Sequence, residues 1–179
     1  DTAWVLGRLT INPIKHVDLL GTIIIPGLLL ITGTGFIFGW AKPVPVNPNN
    51  FDNPRKSMAI VALAGPVANL LMAILWAMLA RIGVTLNIEA ITLPFIYAGV
   101  AGISINLVLA LLNMLPIPPL DGSRILAGLL PYTWANYYNK IEPFGFIIMI
   151  ALLASNLLSS LLAVPMFELQ KLFFSLAGI

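Results

Sequence analysis

The residue with the clearest potential for chemistry is Asp121, which follows the proline-rich segment PIPPL in an otherwise apolar part of the chain. The sequence is apolar again from Ile125. A charge at the centre of a bilayer costs on the order of 2.5–3.5 kcal/mol, so a carboxylate in such a setting is a functional candidate. From the residues alone, Asp121 is a metal ligand, an ion or proton site, or the partner of Arg124 in a salt bridge.

Two segments carry small and amide side chains at helical spacing. On residues 91–115 they form one stripe, consisting of Gly99, Gly102, Asn106, Ala110 and Asn113. A similar face on residues 57–80 consists of Ala62, Gly65, Pro66 and Asn69. Small residues let membrane helices approach closely, and buried amides hydrogen-bond across the contact. We therefore expect the two faces to pack together, with Asn106 hydrogen-bonding between helices.

The segment KPVPVNP at residues 42–48 predicts an extended chain that can pair along one edge only. Alternate residues of a strand point their N–H groups to the same edge, and Pro43 and Pro45 have no N–H to donate. Val44 and Val46 keep their N–H groups on the other edge. That edge could take up an extended peptide by strand addition. The alternative is a rigid proline-rich connector.

Composition limits the class of protein that positions these residues. Of the 179 residues, 59% are hydrophobic and 9% are charged, and the mean hydropathy is +0.98. A soluble domain carries about 25% charged residues and could not hide so much apolar surface in one core. These values exclude a soluble enzyme, a nucleic-acid binder and a disordered region. We predict an all-α polytopic membrane protein, a helical bundle with a short extended or β segment near the site.

Three blocks approach the roughly 20 residues that a helix needs to cross the hydrocarbon core. They cover residues 57–80, 91–115 and 144–163, and the tail from Met166 has the spacing of a helix in the membrane interface or is a frayed terminus. We predict one membrane-embedded domain. Its parts are a polar lead-in (1–18), a first apolar block with an extended segment (19–56), core helices (57–130) and the last span with the tail (131–179).

The first apolar block, residues 19–40, has two interpretations. Pro26 and several glycines favour a broken element that enters the membrane and returns to the same side. That re-entrant path places most Lys and Arg residues on one side, as the positive-inside rule prefers. A kinked ordinary transmembrane helix is the alternative.

Two motifs make the chain resemble the site-2 protease family of intramembrane zinc metalloproteases, peptidase family M50. AGPVAN at residues 64–69 is similar to the A-G-P-x-x-N signature of a core helix in that family. NMLPIPPLDG at residues 113–122 is similar to the N-x-x-P-x-x-x-x-D-G signature, whose aspartate is a zinc ligand. The stretches GRLTINPIKHVDLLGT and GWAKPVPVNP resemble the compact prokaryotic branch, which has no PDZ or CBS domains.

The resemblance implies a role for each matching residue. Asp121 corresponds to a ligand of Zn²⁺, and Asn113 to a group that contacts the substrate or steadies the oxyanion of the tetrahedral intermediate. Independently of the resemblance, the free edge at Val44 and Val46 could hold the unwound substrate as an added strand. The residues of the structural motifs are Gly65, Pro66, Asn69 and Gly122.

One motif of the family, H-E-x-x-H, does not occur in the sequence. It supplies two zinc-binding histidines and the catalytic glutamate, and the family places it just upstream of where this chain starts. We therefore expect an N-terminally truncated piece that binds Zn²⁺ and cleaves peptides only when that helix is supplied. His16 is no substitute, because no second histidine lies one turn away. We expect His16 to make a structural hydrogen bond, with Asp18 as its suggested partner.

The expected function is that of a zinc-dependent endopeptidase in the prokaryotic cytoplasmic membrane. Its partners would be membrane lipid and transmembrane protein or peptide substrates, and no nucleic acid. Two alternatives come from other classes. A transporter or channel would use Asp121 and the broken helix as an ion site, although the sequence has no second half with an interrupted span. A non-catalytic membrane scaffold would share AGPVAN and LDG and lack H-E-x-x-H altogether.

Overall fold

The computed structural model describes residues 2–10, 12–33 and 39–179. The chain forms two compact units, Asp1–Pro54 and Arg55–Ile179. The regular elements are helices, and no described residue lies in a strand. The predicted all-α class is therefore confirmed. Residues 39–47 carry no regular secondary structure, so the predicted extended segment forms no sheet with the described residues.

The first unit is built from short helical elements. In chain order they are α1 (Thr2–Val5), a 3₁₀ turn (Pro13–His16), a π-helix (Leu19–Ile24), α2 (Ile25–Ile31) and a second 3₁₀ turn (Pro48–Asn50).

The first apolar block turns back on itself and does not cross as one helix. The Trp40 N–H donates to the Gly21 carbonyl at 3.0 Å, and the Lys42 N–H donates to the His16 carbonyl at 2.9 Å. A side chain at Gly21 would collide with the Trp40 indole, so glycine permits this close approach. The two ends of the block lie side by side, which supports the re-entrant interpretation. Residues 34–38, including Gly35 of the predicted break, lie outside the described residues.

Among the described residues of the second unit, three helices are long and apolar enough to cross a membrane. They are α3 (Pro54–Leu86), α4 (Glu89–Asn113) and α8 (Leu157–Ala177). Asn87, with a φ of +49°, makes the tight turn between α3 and α4, a conformation that asparagine tolerates. The first two helices agree with the predicted spans 57–80 and 91–115, except that α4 ends before residue 115.

Shorter elements connect α4 to α8. They are α5 (Asp121–Leu129), α6 (Tyr132–Asn139), a 3₁₀ turn (Glu142–Phe144) and α7 (Gly145–Ala154). The structure differs here from the predicted span 144–163, because the chain breaks at residues 155–156. Asn156 has a left-handed φ of +57°, through which an α-helix cannot continue. The third candidate span is therefore α8, and it includes the tail that was predicted to lie in the interface.

The core of the second unit lies where α8 packs against α3 and α4. Phe173 and Ala177 of α8 are buried together with Ile103 and Leu107 of α4. The contribution of α3 is a row of small residues, Ala73, Ala77 and Ala80. The apolar face of the tail, with Phe173 and Ala177, therefore packs against α3 and α4 and is removed from solvent.

The small residues of α4 do meet α3, as predicted, but at a later part of that helix. A Cβ at Gly99 would lie 3.0 Å from the Trp76 carbonyl oxygen, and a Cβ at Gly102 would collide with the Trp76 ring. The contact therefore lies near Trp76 and Ala80. Gly65 faces a different neighbour.

Candidate functional site

α4 ends at Asn113 because the sequence that follows cannot continue a helix. Leu115 precedes Pro116, and a residue before proline avoids the α region. Leu115 and Leu120, at the two ends of the connecting loop, are buried against Leu158 of α8. The break that the prolines predict is therefore a packed loop inside the protein.

Gly122 lets α5 start directly beside the end of α4. A Cβ at this position would meet the backbone carbonyl oxygens of Met114 and Leu115. These carbonyls belong to the end of α4 and the start of the loop, and they cannot move without unwinding that helix end. The glycine therefore determines where α5 begins and where the preceding residue, Asp121, lies.

The Asp121 carboxylate faces the middle of α3. A Cβ built on Gly65 would lie 2.7 Å from Asp121 Oδ2, so the carboxylate fills the space that a side chain at position 65 would need. Asp121 is the first residue of α5 and is half-buried. The acid of the LDG sequence and the glycine of AGPVAN, which are far apart in the chain, are thus neighbours.

Asp121 has no ion-pair partner in the part of the chain that the structure describes. Arg124, the predicted alternative partner, is exposed and forms no ion pair with Asp121 within 4.0 Å. The salt-bridge interpretation is therefore wrong. Asp121 lies outside the three candidate spans, and burial raises the pKa of its carboxyl, an effect that the charge of Arg124 partly offsets. A partly desolvated carboxylate that makes no ion pair with a described residue is suited to binding a cation.

α5 runs antiparallel to α3, and its far end is bound by Arg55. A Cβ at Gly128 would lie 2.5 Å from the Ala59 Cβ, so the two helices touch there. Arg55 donates through Nη2 to the carbonyl of Ala127, at 2.8 Å, and to the carbonyl of Leu130. Nothing local in the sequence links Arg55 to residues 127 and 130, so this contact could not be predicted.

A second hydrogen bond fixes the loop before α5. Tyr138 of α6 donates its hydroxyl to the Pro116 carbonyl at 2.6 Å. Burial raises the pKa of the Tyr138 hydroxyl above its ordinary value, so this group stays protonated and remains a donor at neutral pH. The sequence holds no signal for this contact either, because it joins residues of two separate elements.

The amides of the two predicted stripes have different environments. Asn106 donates to the Gly102 carbonyl of its own helix at 2.8 Å, so the expected hydrogen bond between helices is wrong. Asn69 and Asn113 are half-buried, and neither side chain makes a hydrogen bond to another described residue. Asn113 is the last residue of α4, and its amide is available at the edge of the loop.

An apolar cavity of about 210 Å³ lies beside these residues, between α3, α4 and α8. Pro66 and Met114, the neighbours of Gly65 and Asn113, are part of its lining. The other lining residues are also apolar: Leu63, Val67, Leu70, Ala110, Leu111 and Leu169. The cavity can therefore hold hydrocarbon, whereas the polar groups lie outside it.

The remaining predicted residues belong to the first unit. His16 donates through Nε2 to the Thr10 carbonyl at 3.0 Å. It thus makes a structural hydrogen bond, as expected, although its partner is not Asp18. Val44 is exposed, and no described residue accepts from the N–H of Val44 or Val46.

The described residues do not form a metal site by themselves. No group of three His, Cys, Asp or Glu side chains that could hold a metal occurs in residues 2–10, 12–33 and 39–179. A catalytic Zn²⁺ takes three protein ligands, and the half-buried carboxylate of Asp121 suits one of these positions. The sequence contains one histidine, His16, and it donates to the Thr10 carbonyl.

Comparisons with known proteins agree on one family. The family model described as Peptidase family M50 matches residues 82–155. The chain is 40% identical over 165 residues to "Putative zinc metalloprotease YwhC" of Bacillus subtilis, a match that covers 88% of this chain and 69% of that protein. It is 32% identical over 175 residues to "Putative zinc metalloprotease Rip2" of Mycolicibacterium smegmatis, with 97% of this chain and 62% of that protein covered. No solved structure matches the chain.

The segment matched by the family model includes the centre of the candidate site. Residues 82–155 contain Asn113, the proline-rich loop, Asp121 and Gly122. The opposing residue, Gly65, lies outside this segment and within α3. The structure therefore shows that Asp121, in the matched segment, faces α3 at Gly65.

Proposed function

The chain belongs to peptidase family M50, and from this premise we propose that it forms the membrane-embedded core of a zinc-dependent endopeptidase of the site-2 protease type. The observation that supports this function is the Asp121 carboxylate, which is half-buried and turned towards Gly65. Asp121 serves as one zinc ligand. The two histidine ligands and the general-base glutamate come from residues that this sequence does not contain, so the chain by itself is inactive.

The residues of this chain hold the carboxylate in place before any metal binds. Gly122 sets the start of α5 against the end of α4, and Gly65 leaves the space that the carboxylate occupies. Zn²⁺, when bound, supplies a Lewis acid that polarises a carbonyl and activates water. A carboxylate ligand suits such a site because it offsets part of the dication's charge in poorly solvated surroundings.

The proposed substrates are membrane-spanning proteins or peptides in a prokaryotic cytoplasmic membrane. The peptide groups of a membrane helix are hydrogen-bonded internally, so an enzyme that cleaves them must hold the substrate unwound. Val44 and Val46 would pair with the unwound substrate through their N–H groups. Asn113 would donate to the oxyanion from the edge of the loop.

The zinc role of Asp121 is tested in the full-length protein. Asp121→Ala should abolish zinc retention and the cleavage of a membrane-spanning reporter, because one of the metal ligands is lost. Zinc per protein is measured by atomic emission, and cleavage is measured in proteoliposomes. Glu168→Ala, which removes an exposed carboxylate from α8, is the control and should change neither. Normal zinc content in Asp121→Ala would refute the proposal.

The role of Asn113 is tested by turnover. Asn113→Leu should lower turnover by about 10²–10³-fold, the effect of removing one oxyanion donor, while zinc content stays the same. The matched control is Asn106→Leu, on the same helix, because the Asn106 amide is bonded to its own backbone. If Asn113→Leu turns over as fast as the natural protein, Asn113 is a packing residue only.

A further inference from the structure

α5 carries Asp121 but is too short to hold its own position. It has 9 residues, whereas isolated helices shorter than about 12–15 residues are marginal even in favourable sequences. Its last carbonyls also have no donors within the helix. Contacts from other elements must therefore fix both the position of α5 and its far end.

Arg55 makes these contacts at the far end of α5. Its guanidinium donates to the carbonyls of Ala127 and Leu130, and its Cζ lies 6.0 Å from the centroid of the Tyr132 ring. Both hydrogen bonds are partly buried and charge-assisted, so they are stronger than bonds between neutral groups. One side chain from the first turn of α3 thus binds the end of α5 and the start of α6.

The location of Arg55 in the chain is unfavourable for its own helix. α3 begins at Pro54, and a cation in the first turn of a helix opposes the helix dipole. A cation at the end of a helix is favoured, and the Arg55 guanidinium lies at the end of α5. The helix that Arg55 stabilises is therefore α5.

Two contacts along α3 relate Arg55 to Asp121. Gly128 touches Ala59 near the Arg55 end, and Asp121 touches Gly65 at the other end. At about 1.5 Å per residue, the two contacts are about 10 Å apart on either helix. One helix joins the two contacts, so the position of its Arg55 end and the position of the Asp121 carboxylate are linked through α5.

We propose that Arg55 is a positioning residue for Asp121. Its hydrogen bonds to the last carbonyls of α5 set the register of α5 along α3, and this register places the carboxylate opposite Gly65. The placement does not depend on a metal. Its consequence for zinc binding rests on the proposed function, and the two are therefore tested separately.

The register is measured by a disulfide, since this sequence contains no cysteine. In a cysteine-free full-length protein, Gly65→Cys and Asp121→Cys together should cross-link under mild oxidation with a chelator present. Adding Arg55→Gln should lower the cross-linked fraction several-fold. Lys171→Gln, which removes an exposed charge from α8, is the control and should not change it. An unchanged fraction in Arg55→Gln, or no cross-link in either background, overturns the proposal.

Zinc affinity is the second measurement, made with Asp121 intact. Arg55→Gln should weaken zinc binding by about 10- to 100-fold, as the loss of a group that supports a ligand does. Arg55→Lys keeps the charge but not the planar fork of the guanidinium. Its zinc affinity should therefore lie between those of the natural protein and of Arg55→Gln. If Asp121→Ala retains zinc, the proposed function fails while the cross-linking result still decides the role of Arg55.

A folding defect does not prevent the test. If Arg55→Gln loses helicity by circular dichroism or aggregates in detergent, Arg55→Lys replaces it in both measurements. A cross-linked fraction and a zinc affinity equal to those of the natural protein would then overturn the proposal. Lower values in a folded Arg55→Lys variant support it.

Discussion

At the scale of residues, two glycines of the candidate site meet different kinds of atom. A Cβ at Gly65 would approach Asp121 Oδ2, the far end of a flexible side chain. A Cβ at Gly122 would meet the backbone carbonyls of Met114 and Leu115. A side chain can rotate away, whereas the backbone at a helix end cannot. The same substitution should therefore affect binding at one position and folding at the other.

Gly65→Ala should keep the free energy of unfolding or raise it by up to about 1 kcal/mol, because alanine is the better helix former. It should nevertheless lower zinc content, since the methyl displaces the Asp121 carboxylate. Gly122→Ala should lower the free energy of unfolding by about 1–3 kcal/mol, as overpacking does. Denaturation in detergent and zinc content of the full-length protein measure these effects.

Gly27→Ala is the control for both substitutions, because a methyl at Gly27 meets no atom within 4 Å. A zinc content in Gly65→Ala equal to that of Gly27→Ala would show that the carboxylate does not need its observed position. If Gly122→Ala has the same free energy of unfolding as Gly27→Ala, the backbone at the end of α4 can shift to make room for the methyl group.

At the scale of elements, the segment at residues 42–48 pairs with no strand in the described part of the chain. Pro43 and Pro45 have no N–H, and no described residue accepts from the N–H of Val44 or Val46. The segment therefore has backbone donors to offer an incoming strand. Pairing with a substrate strand would use these backbone N–H groups and would not depend on the side chains.

Val44→Pro and Val46→Pro should each weaken substrate capture, because each removes one N–H from the edge that would pair with substrate. Photo-crosslinking to a membrane-spanning substrate and cleavage in proteoliposomes measure the effect. Val44→Ala keeps the N–H and should behave almost as the natural protein does. Undiminished crosslinking in both proline variants would make the segment a connector.

At the scale of the whole molecule, we predict different membrane topologies for the first apolar block and for α3. The block brings residues 16 and 42 together through a backbone hydrogen bond, so we predict that its two ends share one side of the membrane. α3 has 33 residues and is long enough to place its two ends on opposite sides. Each topology can be tested by finding from which side of the membrane a single cysteine is labelled.

Single cysteines at exposed Lys15 and Lys42 should react from the same side of sealed vesicles with a membrane-impermeant maleimide. Cysteines at Asp52 and Thr85, which flank most of α3, should react from opposite sides and serve as the control. If positions 15 and 42 react from opposite sides, the first apolar block crosses the membrane and the re-entrant interpretation is wrong.

Several features could be predicted from the sequence because they depend on local chemistry. Hydropathy indicated the membrane class and the first two long helices, and Pro116 and its neighbours indicated the break after Asn113. The order of AGPVAN and LDG indicated the family. The tail was predicted as an interfacial helix or a frayed terminus, and the structure makes it the last part of α8 with Phe173 buried. The periodicity of a helix shows that one face is apolar, but it does not show which surface covers that face.

The sequence by itself therefore determined that this is an all-α membrane protein of peptidase family M50 with an acid after a broken helix. Only the tertiary structure decided that Asp121 faces Gly65, that Arg55 binds the end of α5 and that Phe173 is buried. The reason is distance along the chain. Hydropathy and proline affect the conformation of neighbouring residues, whereas these contacts join residues that are far apart in the sequence. They form only when whole helices pack, and the packing depends on the shapes of all the faces together.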